Sequence, residues 1–164
     1  MHAQNPVRID PSTAPAAALL LRLALGTVFV AHALVKPLVF TMAGTMAFFV
    51  DHGFPAWTAW VVFLAELAGG VALIAGVYTR VAALALIPVM LGAFTVHWPN
   101  GWYFGAPNGG WEYIAVLIAA LLVQAGIGDG ALALVSSPRL ARRTDRGLRN
   151  TGFAEPLGPA AGRL

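Results

Sequence analysis

No cysteine occurs in the sequence. Disulfides, thiolate metal sites, persulfide relays and iron–sulfur clusters held by this chain are therefore excluded. Charged residues are also scarce, at 10% of the 164 residues, whereas 59% are hydrophobic. An average soluble domain has about 25% charged and about 45–50% apolar residues, so this composition indicates a membrane protein. The length suits one modest domain without a second, soluble one.

Long apolar runs take up most of the chain, and four of them satisfy the requirement of roughly 17–25 residues for a helical membrane span. They cover residues 16–40, 57–77, 80–96 and 111–127. Because only a short turn at residues 76–80 joins the second and third runs, these helices must be antiparallel neighbours. The sequence thus predicts an all-α membrane protein, an antiparallel bundle of four transmembrane helices. The first run follows no convincing cleavage site and is expected to remain as a span.

The distribution of arginine and lysine predicts the orientation of the bundle. The loops at residues 41–56 and 97–112 carry neither residue. The opposite side is rich in arginine, with Arg8, Arg80, Arg139, Arg142, Arg143, Arg146 and Arg149. Both termini are therefore expected in the cytoplasm, and the chain is expected to be a multi-pass protein of the cytoplasmic (inner) membrane.

Three regions follow from these spans. Residues 1–15 form a cytoplasmic N-terminal segment, residues 16–135 the transmembrane domain, and residues 136–164 a basic tail that is expected to be disordered. The lipid bilayer is the first expected partner, and the tail could adsorb to anionic headgroups. Nucleic acid is not expected as a partner, and the formation of a homo-oligomer is left open.

Ionisable residues inside the apolar runs are the most informative, because a charge at the centre of a span costs about 2.5–3.5 kcal/mol and usually has a partner. Counted along the helices, Glu66 lies in depth between Arg22 and His32, and either could reach it. Arg22 is preferred, because a guanidinium offers two parallel donors to a carboxylate. The sequence predicts a structural ion pair of Arg22 and Glu66, although a functional role for the pair stays open.

A second group of polar residues lies near the outer ends of the spans. His32 and Lys36 are four residues apart and therefore share one helix face. His97 ends the third run and Glu112 begins the fourth, on the same side of the membrane. We expect these four to gather in a polar pocket near the outer face that handles protons or binds an anion, since histidine titrates near neutrality.

The roles expected within this pocket differ from residue to residue. The candidate catalytic residues are His97, Glu112 and His32. The candidate cofactor-binding residues are Lys36, Trp98, Trp111 and Tyr113. The aromatic members have a second interpretation, because aromatic side chains also form the interfacial belts of most membrane proteins.

A metal site is not predicted. His32, His97 and Glu112, with Asp51 or His52, could supply nitrogen and oxygen ligands. However, no EXXH or HXXXH motif places two of them on one helical turn. No pattern supports haem ligation either.

Four segments combine polar residues and glycines in a recognisable pattern. They are RLALGTVFVAHALVKP (22–37), AFFVDHGFPAW (47–57), AELAGGVALIAGVYTRVAAL (65–84) and VHWPNGWYFGAPNGGWEY (96–113). Together they resemble the DoxX family of small four-helix membrane proteins, over about residues 19–135. The spacing R-x3-G-x5-H-x3-K, the E-x-x-G-G segment and the H-x-P-N-G loop carry the resemblance. One departure is Ala33, which follows His32 where the family often has glycine and which bears on local helix packing.

The resemblance implies a link to redox chemistry. Named members of the family include a membrane subunit of a thiosulfate:quinone oxidoreductase from sulfur-metabolising archaea and relatives associated with oxidative-stress proteins in actinobacteria. The favoured hypothesis is an integral membrane subunit of a redox system, quinone-linked and without a covalently bound cofactor. Because the sequence has no flavin, haem or cluster motif, electrons would come from a protein partner.

Other functions stay open at this point. The main alternative is a non-catalytic accessory or anchoring protein that recruits or stabilises a partner complex. A small transporter is less favoured, because the sequence has no detectable inverted repeat or paired broken helices. Whether the chain is itself an enzyme is left open.

Overall fold

A computed structural model describes residues 10–138. Its helices are α1 (Ala14–Leu38), α2 (Met42–Asp51), α3 (Thr58–Ala75), α4 (Thr79–His97) and α5 (Glu112–Ile127), and a 3-10 turn (Trp98–Asn100) extends α4. Between residues 10 and 138 there is no β-strand, only an isolated bridge between Val77 and Val135. The prediction of an all-α protein is confirmed. The expectations for residues 1–9 and for the basic tail from residue 139 onward lie outside the described residues.

Among the described residues, three helices are long and apolar enough to cross a membrane: α1, α3, and α4 with its 3-10 extension. Helix α5 has 16 residues and α2 has 10, and both are apolar but shorter. Because three such helices occur in one short chain, the protein is a multi-pass membrane protein.

The four longer helices surround a common core. Helix α1 packs against α3 and α5, and α4 packs against the same two helices, whereas α2 packs against α1 and α3. The fully buried core side chains include Phe29, Leu73, Leu86 and Leu121. We call the end with α2 and the connection between α4 and α5 the loop end. The end with the start of α1 and the α3–α4 turn is the terminal end.

Two glycines set the register between α1 and α3. A Cβ atom at Gly26 would lie 2.7 Å from the carbonyl oxygen of Gly70, and a Cβ at Gly70 would lie 2.9 Å from the carbonyl oxygen of Gly26. The two backbones therefore meet directly, as small residues permit between helices in a membrane. This contact places Arg22 beside Gly76, near the terminal end.

Helix α2 occupies the stretch that the sequence predicted as a loop at residues 41–56. The hydroxyl oxygen of Thr41 accepts a hydrogen bond from the backbone N–H of Gly44 at 3.1 Å, which caps the helix at its start. The prediction was wrong here because it considered only runs long enough to span the bilayer, and a 10-residue helix is too short.

The segment that follows α5 folds back over the terminal end. The backbone N–H of Val135 donates to the carbonyl of Gly76 at 3.0 Å, and Tyr78 N–H donates to the carbonyl of Val135 at 3.1 Å. Arg22 Nη2 donates to the carbonyl of Ala131 at 2.7 Å. The turn between α3 and α4 and the buried arginine of α1 thus hold this segment in place.

Asp129 closes the same segment on itself. Its carboxylate accepts hydrogen bonds from the backbone N–H of Ser137 at 2.9 Å and from the Ser137 hydroxyl at 2.6 Å. Partial burial raises the pKa of the Asp129 carboxyl, but the hydrogen bonds it accepts, chiefly from Ser137, outweigh burial and hold that pKa below its usual 3.8.

Candidate functional site

A cavity of about 900 Å³ lies at the loop end of the bundle, and all five helices contribute to its wall. Helix α4 contributes positions 88, 89, 90, 92, 93, 96 and 97, and all of these except 90 recur every three or four residues and therefore form one face. Most of the wall is aliphatic or aromatic. Its titratable side chains are His32, Lys36, His52, Glu66, His97 and Tyr113.

An ion pair lies at the wall of this cavity. Lys36 Nζ donates to Glu66 Oε2, and the two side chains are only 14% and 6% exposed. Lys36 Nζ also donates to the carbonyl of His32 at 3.2 Å. The ammonium and the carboxylate cancel each other's charge, which is the arrangement that a buried charge requires.

The prediction that Glu66 pairs with Arg22 is therefore wrong, because the basic partner of Glu66 is Lys36. Arg22 is beside Gly76, ten residues along α3 from Glu66, which corresponds to about 15 Å of helix. The depths counted from the ends of the apolar runs misplaced α1 relative to α3 by about one turn. The actual register is set by the contact between Gly26 and Gly70, which the counting did not include. Lys36, one turn beyond His32, bridges the remaining distance with its long side chain.

Each of the three histidines of the cavity has its Nδ1 atom bound to a backbone carbonyl. For His32, His52 and His97 the acceptors are the carbonyls of Val28, Phe48 and Gly109, at 2.9, 2.8 and 3.0 Å. A carbonyl oxygen can only accept, so Nδ1 carries the hydrogen in each ring. The Nε2 atom is then an acceptor in the neutral imidazole and a donor in the protonated one, so each ring can hold and release a proton there.

Tyr113 adds a planar surface and a hydroxyl to the wall. Its ring stacks on that of His32, with ring centroids 6.2 Å apart and an angle of 25° between the planes. The rings of Phe48, Phe49 and Phe104 also line the cavity. A flat, largely apolar ligand would therefore meet aromatic surface as well as hydrogen-bonding groups.

Glu112 does not line the cavity but holds the loop above it. Its Oε2 atom accepts a hydrogen bond from the backbone N–H of Phe104 at 3.3 Å. Trp98 and Trp111 likewise lie outside the cavity wall and pack on each other, with ring centroids 5.1 Å apart. Trp111 also packs on Trp102 at 4.5 Å. Glu112, Trp98 and Trp111 were expected in the pocket, but they instead attach the loop to α4 and α5.

The structure thus brings together His32, Lys36, His97 and Tyr113 from the predicted pocket and adds Glu66, which the sequence had assigned to another pair. His52 also lines the cavity, although the sequence suggested it only as a metal ligand. Its position directly after the apolar run of α2 could have indicated a place at the end of a helix, but that run was interpreted as a loop.

The histidines and carboxylates do not form a metal site in the described part of the chain. Between residues 10 and 138, no three His, Asp or Glu side chains are close enough together to share a metal ion. The arrangement can instead hold a ligand between aromatic side chains, donate hydrogen bonds to it, and supply or accept protons at imidazole Nε2 atoms.

The fold and the site define a multi-pass helical membrane protein with a largely apolar cavity, lined by six titratable side chains, near one end of its bundle. The model of the DoxX family matches residues 17–98, which include nearly all of α1 through α4. A Bacillus subtilis (strain 168) protein called "Putative oxidoreductase CatD" is 32% identical over 108 residues, 66% of this chain and 78% of that protein. The chain therefore belongs to the DoxX family. No solved structure matches it.

Proposed function

We propose that this protein is an integral membrane subunit of a redox system and that its cavity binds the headgroup of a quinone. The cavity itself carries this proposal, because it combines aromatic and aliphatic walls with three imidazoles and a neutralised ion pair. Its volume of about 900 Å³ lies within the range of about 300–1,000 Å³ that is usual for small-molecule sites.

The residues at the wall suit such a headgroup. A quinone ring is planar and neutral, and its two carbonyl oxygens accept hydrogen bonds. The hydroxyl of Tyr113 is a suitable donor while the imidazoles are neutral, and the stacked rings of Tyr113 and His32 offer a flat surface. The Nε2 atoms of His32 and His97 become further donors when their rings take up a proton. Reduction of a quinone consumes two electrons and two protons. The imidazoles would supply the protons, and a redox protein partner would supply the electrons.

Two further observations support a redox role. The chain belongs to the DoxX family, and the name of the Bacillus subtilis relative describes an oxidoreductase. The pocket predicted from the sequence had two candidate occupants, a quinone and a small anion. The neutral balance of Lys36 and Glu66 favours the quinone.

The proposal includes a topology. Helix α5 packs against α1 and α4 like a full member of the bundle and would be the fourth span, with its ends close to the membrane surfaces. Both termini would lie in the cytoplasm, because the arginine-rich segments flank the terminal end. The cavity would then lie near the outer face of the cytoplasmic membrane.

A cavity-filling variant tests the proposal. Gly92 lines the cavity, and a Cβ atom there would meet no atom within 4 Å, so the larger side chain of Gly92→Phe should narrow the cavity. A Cβ at Gly126 also meets nothing within 4 Å, and Gly126 does not line the cavity, so Gly126→Phe is the matched control. Each protein is extracted from its native membrane in a mild detergent, and co-purifying proteins and lipid-soluble molecules are identified by mass spectrometry.

We expect a quinone and a redox protein with the wild type and with Gly126→Phe, and loss of the quinone alone with Gly92→Phe. Equal quinone content in both variants would contradict the cavity as its site. A stoichiometric partner without any quinone would favour the accessory or anchoring function. The docking surface would then be the exposed aromatic side chains of the loop, Trp102, Tyr103 and Phe104.

A further inference from the structure

The cavity has one carboxylate at its wall, and that carboxylate is committed to the ammonium beside it. Glu66 is 4% exposed and pairs with Lys36, whose ammonium also donates to the carbonyl of His32. The other titratable groups at the wall are three imidazoles and a phenol. Asp51 and Glu112, the carboxylates next to lining residues in sequence, are not part of the wall. With the imidazoles neutral, the wall therefore has no net charge.

We propose that Glu66 is a specificity-determining residue, which makes the cavity accept neutral ligands and reject anions. Without this carboxylate, Lys36 would be a cation among apolar walls, and a cation in such surroundings attracts an anion strongly because little water screens it. Two of the three N–H donors of the Lys36 ammonium are also occupied, one by Glu66 and one by the carbonyl of His32. This role rests on the proposed function only in treating the cavity as a ligand site.

The geometry distinguishes Glu66 from a carboxylate that serves the fold alone. A purely structural partner of Lys36 could lie at any position within reach of the ammonium, including one outside the cavity, but this pair lies on the cavity wall itself, where both residues contribute lining atoms. Removing the negative charge therefore changes the potential that a bound ligand experiences. The predicted consequence is an exchange of ligand class, which a structural role would not produce.

Two probes of the same ring size test this role. Tetramethylbenzoquinone is neutral and tetramethylbenzoate is an anion, and the effect of charge is read from how a substitution changes the ratio of their affinities. Binding is measured by isothermal titration calorimetry on the purified full chain in a nonionic detergent, for all proteins and probes at the same pH of 8. The proteins are the wild type, Glu66→Gln, and Asp51→Asn as the matched control, because Asp51 is an exposed carboxylate at the end of α2 outside the cavity wall.

We expect the wild type and Asp51→Asn to bind the quinone at least about tenfold more tightly than the benzoate. In Glu66→Gln the affinity for benzoate should rise about tenfold or more, because Lys36 loses its counter-charge. A wild type that binds both probes, with equal affinity, would overturn the proposal. So would a Glu66→Gln protein whose affinity for benzoate matches that of Asp51→Asn.

If Glu66→Gln does not accumulate in the membrane, a double variant replaces it in the test. Lys36→Gln combined with Glu66→Gln removes both charges and should keep the wild-type preference for the quinone. A double variant that prefers benzoate would overturn the role of Glu66. A wild type that binds no quinone, together with a Glu66→Gln protein that gains benzoate, would contradict the quinone function and support this role. If every protein binds the quinone and Glu66→Gln gains no affinity for benzoate, the quinone function is supported and this role of Glu66 is contradicted.

Discussion

At the scale of single residues, the cavity depends on contacts between groups that are far apart in the sequence. His97 Nδ1 donates to the carbonyl of Gly109, 12 positions later, and Lys36 pairs with Glu66, 30 positions later. The sequence identified His32, Lys36 and His97 as pocket residues from their depth. It could not identify Glu66 as the partner of Lys36 or Gly109 as the partner of His97, because those contacts depend on how the loop and α3 fold against α1 and α4.

Asp129 gives a residue-scale prediction about pH. Its pKa in the folded protein lies below the usual 3.8, because the hydrogen bonds from Ser137 outweigh the effect of partial burial. The charged form is therefore favoured in the folded state. The stabilisation is fully present above the unfolded-state pKa and is lost as pH falls through the folded-state pKa. We expect the melting temperature of the wild type to fall more steeply below about pH 4 than that of Ser137→Ala.

The matched control for this prediction is Ser136→Ala, which removes the hydroxyl of an exposed neighbour. Melting temperatures are measured in detergent by the change in helical circular dichroism over a series of pH values. The control should follow the wild-type profile. Parallel profiles for the wild type and Ser137→Ala would show that Ser137 does not perturb the titration of Asp129.

At the scale of the helices, apolar length was a sufficient guide to the four longer elements and an insufficient one to the fifth. Helices α1, α3, α4 and α5 begin and end within two residues of the predicted runs, because long apolar segments must be helical where lipid offers no hydrogen bonds. Helix α2 is too short to be detected by that argument, although it supplies His52 and Phe48 to the cavity. The register of α1 on α3 was also missed, because it depends on two glycines meeting.

This glycine contact is the source of a prediction about α1 and α3. A Cβ atom at Gly26 would lie 2.6 Å from Ile74 Cγ1 and 2.7 Å from the carbonyl oxygen of Gly70, so Gly26→Ala must force the helices apart. Overpacking of this kind costs about 1–3 kcal/mol. We expect a lower melting temperature in detergent for Gly26→Ala and a weakened Lys36–Glu66 pair.

Gly126→Ala is the control, because a Cβ atom there meets nothing within 4 Å. Replacement of a helical glycine in open space by alanine should stabilise the protein by about 0–1 kcal/mol, because alanine has the better helix propensity. We therefore expect Gly26→Ala to lower the melting temperature and Gly126→Ala to leave it unchanged or raise it. Equal melting temperatures for Gly26→Ala and Gly126→Ala would rule out the close contact of α1 with α3 as a determinant of stability.

At the scale of the whole molecule, composition indicated a membrane protein, with 59% hydrophobic and 10% charged residues, and the lengths of the apolar runs predicted that it is all-α. The cavity was predicted only as a meeting of polar side chains at one depth. Its enclosure requires α2 on one side and the fastened loop on the other, and neither could be derived from the apolar runs. Glu112, Trp98 and Trp111 were expected to line the pocket and instead hold that loop.

The central claim is that the cavity between the helices holds a quinone headgroup. Photo-crosslinking with an azido-quinone in native membranes, followed by mass spectrometry of the labelled peptides, tests it most directly. Our account predicts label on cavity residues such as His32, His97 and Tyr113, and competition by unlabelled quinone. Label confined to the exposed apolar side chains outside the cavity, such as Leu64 and Leu122, would contradict it and show that the quinone contacts this protein only as a component of the surrounding lipid.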